Sequence, residues 1–326
     1  MVDGYGREIN YLRISVTDRC NLRCQYCMPA EGIQTLTHDQ ILTLEEIQRV
    51  VKVAATVGIK KVRLTGGEPL VRKNLLRFIE YMKDIDEIDD VSITTNGILF
   101  PDMAEELKNA GLNRVNISMD TMVPERYSFI TRGGKLEIVQ LAVQKALALG
   151  MKPVKLNVVV IKGFNDVELM DFAQLAYDYP LHVRFIEFMP IGDLLFWDRK
   201  KMFSAAQMRE IIEKEFTLEE GKRIRGNGPA CYYGIKGGIG SLGFINPISS
   251  HFCAECNRIR LTADGKLRPC LYDHHEVDLK KALRDGTSDE GIRDLVVQAI
   301  QQKPERHHMD RGWGENNSRK MSQIGG

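Results

Sequence analysis

Two hydrophobic periods alternate along the first two-thirds of the chain. Short β-rich runs at residues 12–16, 62–65, 91–95, 114–119, 154–161 and 182–188 switch face at every residue, as strands do. Between several of them, at 44–57, 74–83, 103–110, 136–149 and 169–177, apolar residues recur at helical spacing. Gly58, Gly111 and Gly150 each fall where such a helix must end, shortly before a strand, the place of a C′ glycine. Six strand–helix units in succession predict a parallel sheet with helices packed outside it. Right-handed crossovers would curl that sheet into a partial (β/α)6 barrel of the TIM type.

The strand faces sharpen this expectation. One face collects Arg13, Ser15 and Thr17, then Lys61, Arg63 and Thr65, then Ser92 and Thr94, Asn116 and Ser118, Lys155 and Asn157, and finally Arg184. The other carries Leu12, Ile14, Val62, Leu64, Val91, Ile93, Val115, Ile117, Val154, Leu156, Val183 and Phe185. A closed eight-stranded barrel fills its interior with branched apolar side chains. Here the interior is polar and rich in cations, which predicts an open barrel whose lumen holds a polar, anionic ligand. A sheet with one solvated face would show the same alternation, but parallel sheets are usually covered on both sides.

From about residue 215 the regular alternation stops, dividing the chain into a barrel at 1–214 and an α+β extension at 215–326. Glycines cluster between Gly221 and Gly243, a cysteine-bearing segment follows at 251–272, and helical patterns return at 278–284 and 289–302. Residues 307–326 have the composition of a disordered tail.

Composition excludes several functional classes. With 45 Lys and Arg against 44 Asp and Glu the net charge is +1, so no global field draws the chain to nucleic acid or an anionic membrane. An anionic ligand must therefore be met by a local cluster of cations. No apolar run is long enough to span a bilayer, and residues 1–7 lack the apolar core of a signal peptide, which predicts a cytoplasmic protein. In that reducing compartment seven cysteines, an odd number, point to metal or redox chemistry and away from disulfides. Three lie within eight residues, three fall between 253 and 270, and Cys231, standing apart, reads as an ordinary buried thiol.

Cys20-Asn21-Leu22-Arg23-Cys24-Gln25-Tyr26-Cys27 directly follows the first strand. Three thiolates this close can ligate three irons of a [4Fe–4S] cube and leave the fourth open to a chelating small molecule. An incomplete zinc knuckle is the alternative, although no fourth nitrogen or sulfur ligand is adjacent. The segment resembles the signature of the radical-SAM superfamily, C-x₃-C-x₂-C with an aromatic before the third cysteine, here Tyr26. Thr65-Gly66-Gly67-Glu68-Pro69, Thr94-Thr95-Asn96-Gly97 and Asn116-Ile117-Ser118 are similar to further landmarks of that superfamily. The resemblance implies that S-adenosylmethionine chelates the open iron and is split by one electron to methionine and a 5′-deoxyadenosyl radical.

Cys253-Ala254-Glu255-Cys256 and Cys270 form a second trio. His251, His274 or His275 can complete a Cys₃His zinc site by spacing. Residues 243–270, the segment Arg184-Phe185-Ile186-Glu187-Phe188-Met189-Pro190-Ile191-Gly192 and the terminal Met321-Ser322-Gln323-Ile324-Gly325-Gly326 closely resemble the GTP 3′,8-cyclases of molybdenum-cofactor biosynthesis (the MoaA family). That resemblance implies a second [4Fe–4S] cluster on Cys253, Cys256 and Cys270 whose open iron takes the guanine of GTP. It implies GTP contacts at Arg13, Arg63, Thr94, Lys155 and the segment Arg258, Ile259 and Arg260, and S-adenosylmethionine contacts at Tyr26, Gly67, Ser118 and Met189. Arg258 and Arg260 share a face of an extended segment, and arginine's planar fork suits phosphate. For Lys61 a phosphate contact rests on the polar-face pattern alone, with a solvated lysine as the alternative.

The product implied is (8S)-3′,8-cyclo-7,8-dihydroguanosine 5′-triphosphate, made by hydrogen abstraction at ribose C3′ and attack on C8, with Arg258, Arg260, Gly325 and Gly326 as the residues that serve catalysis. An external electron donor, a downstream cyclic pyranopterin monophosphate synthase that takes the product, and a homodimer are the partners such an enzyme would have. Two other classes fit the cysteines: a radical-SAM peptide maturase with an auxiliary cluster, and an iron–sulfur sensor without catalysis. A terminal di-glycine reads from composition alone as a frayed end.

Overall fold

The computed structural model describes residues 1–192, 194–221, 228–309 and 319–325. Its strands in chain order are β1 (Tyr11–Ser15), β2 (Lys61–Thr65), β3 (Asp90–Thr95), β4 (Arg114–Ser118), β5 (Val154–Val160), β6 (Leu181–Glu187), β7 (Leu218–Glu219), β8 (Cys231–Ile235), β9 (Ser241–Ile245), β10 (Arg258–Leu261), β11 (Lys266–Arg268) and β12 (Val277–Asp278). All join one 12-stranded sheet in the order β12-β11-β10-β1-β2-β3-β4-β5-β6-β9-β8-β7. The six strands expected from the alternating pattern are neighbours and parallel, with ends within one residue of expectation. The C-terminal part extends this same sheet at both edges: β10 pairs parallel with β1, and β9 pairs parallel with β6.

The helices α1 (Leu44–Thr56), α2 (Leu75–Lys83), α3 (Phe100–Asn109), α4 (Pro124–Thr131), α5 (Leu136–Ala148), α6 (Leu169–Asp178) and α7 (Ala205–Ile212) follow the barrel strands. Their apolar sides join the outward strand residues Leu12, Ile14, Val62, Leu64, Ile93, Val115, Ile117, Leu156 and Val183 in one buried core. Gly58, Gly111 and Gly150 have φ of +101°, +108° and +67°, which confirms the reason for glycine after α1, α3 and α5. Helices α4 and α7 were not expected from periodicity. Pro124 at the first turn of α4 and the capping box from Ser204 to Gln207 at the start of α7 are the local signals that mark them. After the barrel, α8 (Leu279–Arg284) and α9 (Asp289–Gln301) run beside β11, with α9 against α1, and a last turn, α10 (Met321–Ile324), lies on β1.

The inward face is polar and buried. Ser92 and Asn116 are fully buried there, Arg114, Lys155 and Arg184 nearly so. Asp90, the first residue of β3, accepts bonds from Arg114 Nε at 2.9 Å and from Arg114 Nη2. Arg184 Nη2 donates to Asn116 Oδ1 at 2.8 Å, and Asn116 Nδ2 donates to the Ile93 carbonyl at 2.9 Å. Lys155 lies over the Tyr232 ring, and burial, then Arg184, Arg114 and Arg63, pushes its ammonium down to about 5. The floor of the lumen is thus a cationic layer in which Asp90 supplies the opposing charge.

Removing one member of a buried ion pair strands the other, at a cost of about 3–5 kcal/mol. Asp90→Ala should therefore lower the urea midpoint of the apoprotein strongly, while an exposed change such as Glu290→Ala should leave it in place.

Candidate active site

A cavity opens inside the barrel, lined by strand residues of β1 to β6, β9 and β10 together with the loops beside them. Both cysteine trios line it: Cys20, Cys24 and Cys27 on one side, Cys253, Cys256 and Cys270 on the other.

The first trio occupies the loop after β1, and that loop is held from several directions. Gln25 N donates to the Ile130 carbonyl at 2.9 Å, and Arg132 Nη1 donates to the carbonyls of Arg23 and Met28, both at 2.8 Å. Tyr26 Oη donates to Asp120 Oδ2 at 2.6 Å, while Asp120 Oδ1 accepts from Val159 N at 2.9 Å. Burial lifts the Asp120 carboxyl to about 6 against those two bonds. Gly66 and Gly67 stand where two backbone segments meet. A Cβ on them would lie 2.4 Å from the Thr17 carbonyl and 2.2 Å from the Arg19 carbonyl. They let two backbones touch, with Gly67 N donating to Thr17 O at 2.9 Å and Glu68 N to Arg19 O at 2.8 Å. The Glu68 carboxylate, lifted to about 7 by burial, accepts from Asn96 N at 2.7 Å and Thr95 Oγ1 at 2.8 Å. This ties the ends of β2 and β3 together beneath the cysteine loop.

The second trio is braced by side chains far away in sequence. Arg7 Nη1 donates to the Cys253 carbonyl at 2.9 Å, and Lys303 Nζ donates to the carbonyls of Arg258 at 2.9 Å and Pro269 at 2.7 Å. The His307 backbone N–H faces the Cys253 thiol, and Arg258 Nη2 lies 3.7 Å from Cys256 Sγ. Burial would raise the Cys256 thiol, but Arg258 and Lys303 outweigh it and bring it down to about 6. Burial pushes Cys24 and Cys27 well up, so loading iron there must expel protons.

The donor sets test which metal these residues fit. Zinc with Zn–S bonds of about 2.3 Å would set its sulfurs about 3.8 Å apart. Among the described residues, the trios of ligand atoms within 4.8 Å of one another are His251–Cys253–His307 and Asp273–His274–His275, and neither cysteine trio is among them. An iron–sulfur cube takes one thiolate per corner and does not ask the sulfurs to converge on one ion. The cysteines fit a cube, and His274 and His275 gather with Asp273, outside the second trio. Cys231 proves exposed on β8, correcting its expected burial; its side chain sits near the sheet edge, where the short β7 gives little cover.

The cations of the lumen form a row fixed by register. Arg13 of β1 lies opposite Arg260 of β10 on one side and Arg63 of β2 on the other, with Ser92 of β3 next. Arg13 is held well below the ordinary arginine range, first by burial and then by Arg260 and Arg63; Arg63 falls to about 10 and Arg260 to about 9, chiefly by burial. Thr94 Oγ1 and Asn157 Oδ1, buried and lining the same cavity, have no hydrogen-bond partner among the described residues. Arg258, Tyr26, Gly67, Ser118 and Met189 line the cavity as well. Lys155 sits in the floor layer, behind the cavity wall, and Lys61, half-buried at the start of β2, is not part of the lining. Ile259 is fully buried in the outer core, which leaves only its backbone near the lumen.

In its described parts, 307–309 and 319–325, the C-terminal segment departs from the expected disordered tail, and residues 310–318 lie outside the described residues. His307 and Met309 are buried, and Ile324 packs fully buried with Ile191 and Met309. Arg319 binds Asp264 at 2.9 Å and Glu276 at 2.5 Å, and Lys320 Nζ donates to the Gly192 carbonyl at 3.2 Å. Gly325, at φ +70°, presents its carbonyl to Arg260 Nη1 at 2.9 Å. A Cβ there would come within 2.6 Å of Thr65 Oγ1, so only glycine fits without displacement. Gly326 lies outside the described residues.

Comparison with known proteins decides the family. Residues 14–176 match the Radical SAM superfamily, and residues 181–309 match Molybdenum Cofactor Synthesis C. A GTP 3′,8-cyclase of Syntrophomonas wolfei is 60% identical over the whole of both chains, and one of Desulforamulus reducens is 52% identical over the same extent. The chain belongs to the GTP 3′,8-cyclase family. Members of the radical-SAM superfamily use S-adenosylmethionine and a [4Fe–4S] cluster, and both follow for this chain from its membership. Among solved structures, Streptococcus suis SuiB bound to S-adenosylmethionine shares the fold at 15% identity and TM-score 0.59, over 88% of this chain and 68% of that one. The native anSMEcpe with bound AdoMet does so at 15% identity and TM-score 0.58, over 92% and 82%. Among the described residues, no helix is long and apolar enough to cross a membrane.

The packing of the tail predicts a separable effect. Ile324→Asp should free the amides of residues 321–325 to exchange with solvent at near-unprotected rates, read by hydrogen exchange, while strands β1 to β6 keep their protection.

Proposed function

We propose that the chain converts GTP into (8S)-3′,8-cyclo-7,8-dihydroguanosine 5′-triphosphate, in the first step of molybdenum-cofactor biosynthesis. The observation that carries this reading is the row Arg260–Arg13–Arg63, lining the same cavity as both cysteine trios. Three guanidiniums at one register, Arg63 and Arg260 buried and Arg13 half-buried, repel one another, and a nucleoside triphosphate brings the negative charge that offsets the repulsion. Cys20, Cys24 and Cys27 would hold the [4Fe–4S] cluster that binds S-adenosylmethionine, and Cys253, Cys256 and Cys270 a second one. When bound, the first cluster and S-adenosylmethionine supply the 5′-deoxyadenosyl radical that takes hydrogen from ribose C3′.

The chain's own task is placement. Arg13, Arg63, Arg258 and Arg260 would grip the triphosphate, whose negative charge would draw a proton onto Lys155 in the floor, an ammonium that burial otherwise pushes down to about 5. Thr94 offers a hydroxyl whose partner would be the substrate. Tyr26, Gly67, Ser118 and Met189 would cradle S-adenosylmethionine, with Tyr26 oriented by its bond to Asp120. Gly325 and Gly326 would complete the site through Arg260, which the Gly325 carbonyl already contacts. Lys61 has no place in this reading, since it stands outside the cavity lining. Residues 1–214 act as the radical-generating barrel and 215–326 as the region that selects substrate. An external reductant, a downstream synthase, a homodimeric assembly and a cytoplasmic setting belong to the same proposal, the last supported by cysteines that are all free.

Loss of two charged hydrogen bonds costs about 3 kcal/mol or more, so Arg258→Ala with Arg260→Ala should weaken GTP binding at least about a hundredfold. Cyclisation should disappear while S-adenosylmethionine binding persists; cyclised nucleotide at the normal rate would overturn the phosphate assignment. Anaerobically reconstituted protein should carry about eight irons per chain, and about four after Cys253, Cys256 and Cys270 are changed to serine. GTP should perturb the EPR signal only while the second trio is intact.

A further inference from the structure

The reaction consumes electrons that this chain does not generate, so a carrier must reach the loop of Cys20, Cys24 and Cys27 from outside. We propose that the apolar face behind that loop, formed by exposed Phe129 and Leu195 with half-buried Phe164 and Phe196 and edged by a basic rim, docks a small acidic electron-carrier protein. This rests on the radical-SAM reading above.

Phe129, near the end of α4, is 57% exposed, and its ring centroid lies 6.0 Å from that of Phe164. Its carbonyl accepts from Gln25 Nε2 at 2.8 Å, and Gln25 is the residue immediately after Cys24. One hydrogen bond and one residue therefore separate a solvent-facing aromatic from a thiol of the first trio. The neighbouring loop continues the same surface. Phe164 and Phe196 both pack onto the small core of Ile130, Ile161 and Phe188, and Leu195 is 96% exposed. Lys162 N donates to the Lys201 carbonyl at 2.8 Å, joining the two loops, and Lys201 Nζ lies 4.2 Å from the Phe196 ring centroid. Exposed apolar residues grouped in this way mark an interaction surface.

Charge selects the occupant. Lys162, Arg199 and Lys200 are exposed in the loops that carry the patch. Asp166 and Asp198 in the same loops are turned onto the backbone N–H groups of Gly163 and Lys200, at 2.8 and 2.9 Å. In a chain of net charge +1 this rim is a local excess of positive charge. A small apolar centre inside a basic rim suits a brief, charge-steered encounter with an acidic protein. In that encounter one electron leaves the carrier's reduced centre, which is oxidised, and reduces the group held by Cys20, Cys24 and Cys27; no atom is exchanged.

The test uses reconstituted holoenzyme driven either by dithionite or by a reduced acidic flavodoxin, with 5′-deoxyadenosine as the product measured. Lys162→Glu with Lys200→Glu, and separately Phe129→Ser, should cut the flavodoxin-driven rate about tenfold and weaken the flavodoxin Kd by a similar factor. The dithionite-driven rate should not change, and added salt should erase the difference between wild type and the charge-reversed form. An unchanged flavodoxin rate and Kd would overturn the surface, as would equal losses with both reductants. A change from dimer to monomer in Phe129→Ser would also overturn it, since a second copy of the chain would then cover the patch. If wild-type holoenzyme made no 5′-deoxyadenosine with dithionite, the radical-SAM reading would fail, and the Kd comparison would still decide the surface.

Discussion

Guanidiniums crowded side by side in the lumen are the constraint from which the rest of this structure follows. Arg260, Arg13 and Arg63 occupy one register across three adjacent strands, and each is held below its ordinary range, first of all by burial. An interior of this kind gains nothing from apolar packing, so stability has to come from the outer face, where the branched strand residues and the helices meet. The lumen stays folded because the sheet around it is continuous, with β10 and β9 continuing both flanks in parallel. Among the described residues, Asp90 is the carboxylate that pairs with the floor layer, through Arg114.

The same constraint explains the bracing of the cysteine loops. Apart from the single 3-10 turn at Cys253–Glu255, neither trio sits on a regular element that would fix it, and each depends on long-range hydrogen bonds to backbone carbonyls. Arg132 grips the first loop from the end of α4, while Arg7 and Lys303 grip the second from opposite ends of the chain. These are positioning residues: their charge is spent on carbonyls. Arg258 is different, since it faces the cavity and lies against Cys256 at once.

Much of this was legible in the sequence, for physical reasons. Strand alternation and helix periodicity located the six barrel strands to within a residue, because both faces of each strand carry a consistent demand: Arg63 inward, Val62 and Leu64 outward. The cysteine spacing was equally local. Arg7, Lys303 and Arg319 escaped notice because a side chain that caps a distant carbonyl leaves no periodic trace. The tail was misread for a related reason: Ile324 is a single apolar residue in a polar stretch, and its burial depends on Ile191 and Met309 elsewhere. Lys61 and Lys155 share the parity of Arg63 and Asn157, but parity fixes the face and not the depth, and only depth separates cavity wall from floor. Cys231 was misjudged because a β-rich segment looks the same whether its strand is central or near an edge.

The pairing of β1 with β10 has a consequence for how the chain is made. Residues 11–15 emerge from the ribosome long before residues 258–261, which close their outer edge, so the whole intervening stretch must be synthesised before that edge is satisfied. Until then β1 presents an open row of backbone donors and acceptors, the condition that invites mispairing between nascent chains. Contacts of such high sequence separation also slow folding, because the entropy of closing the loop is lost before the strand pairing returns it. Slowing elongation ahead of residue 258 should thus lengthen the aggregation-prone interval, and recovery of soluble protein should respond more to that interval than to the final stability of the fold.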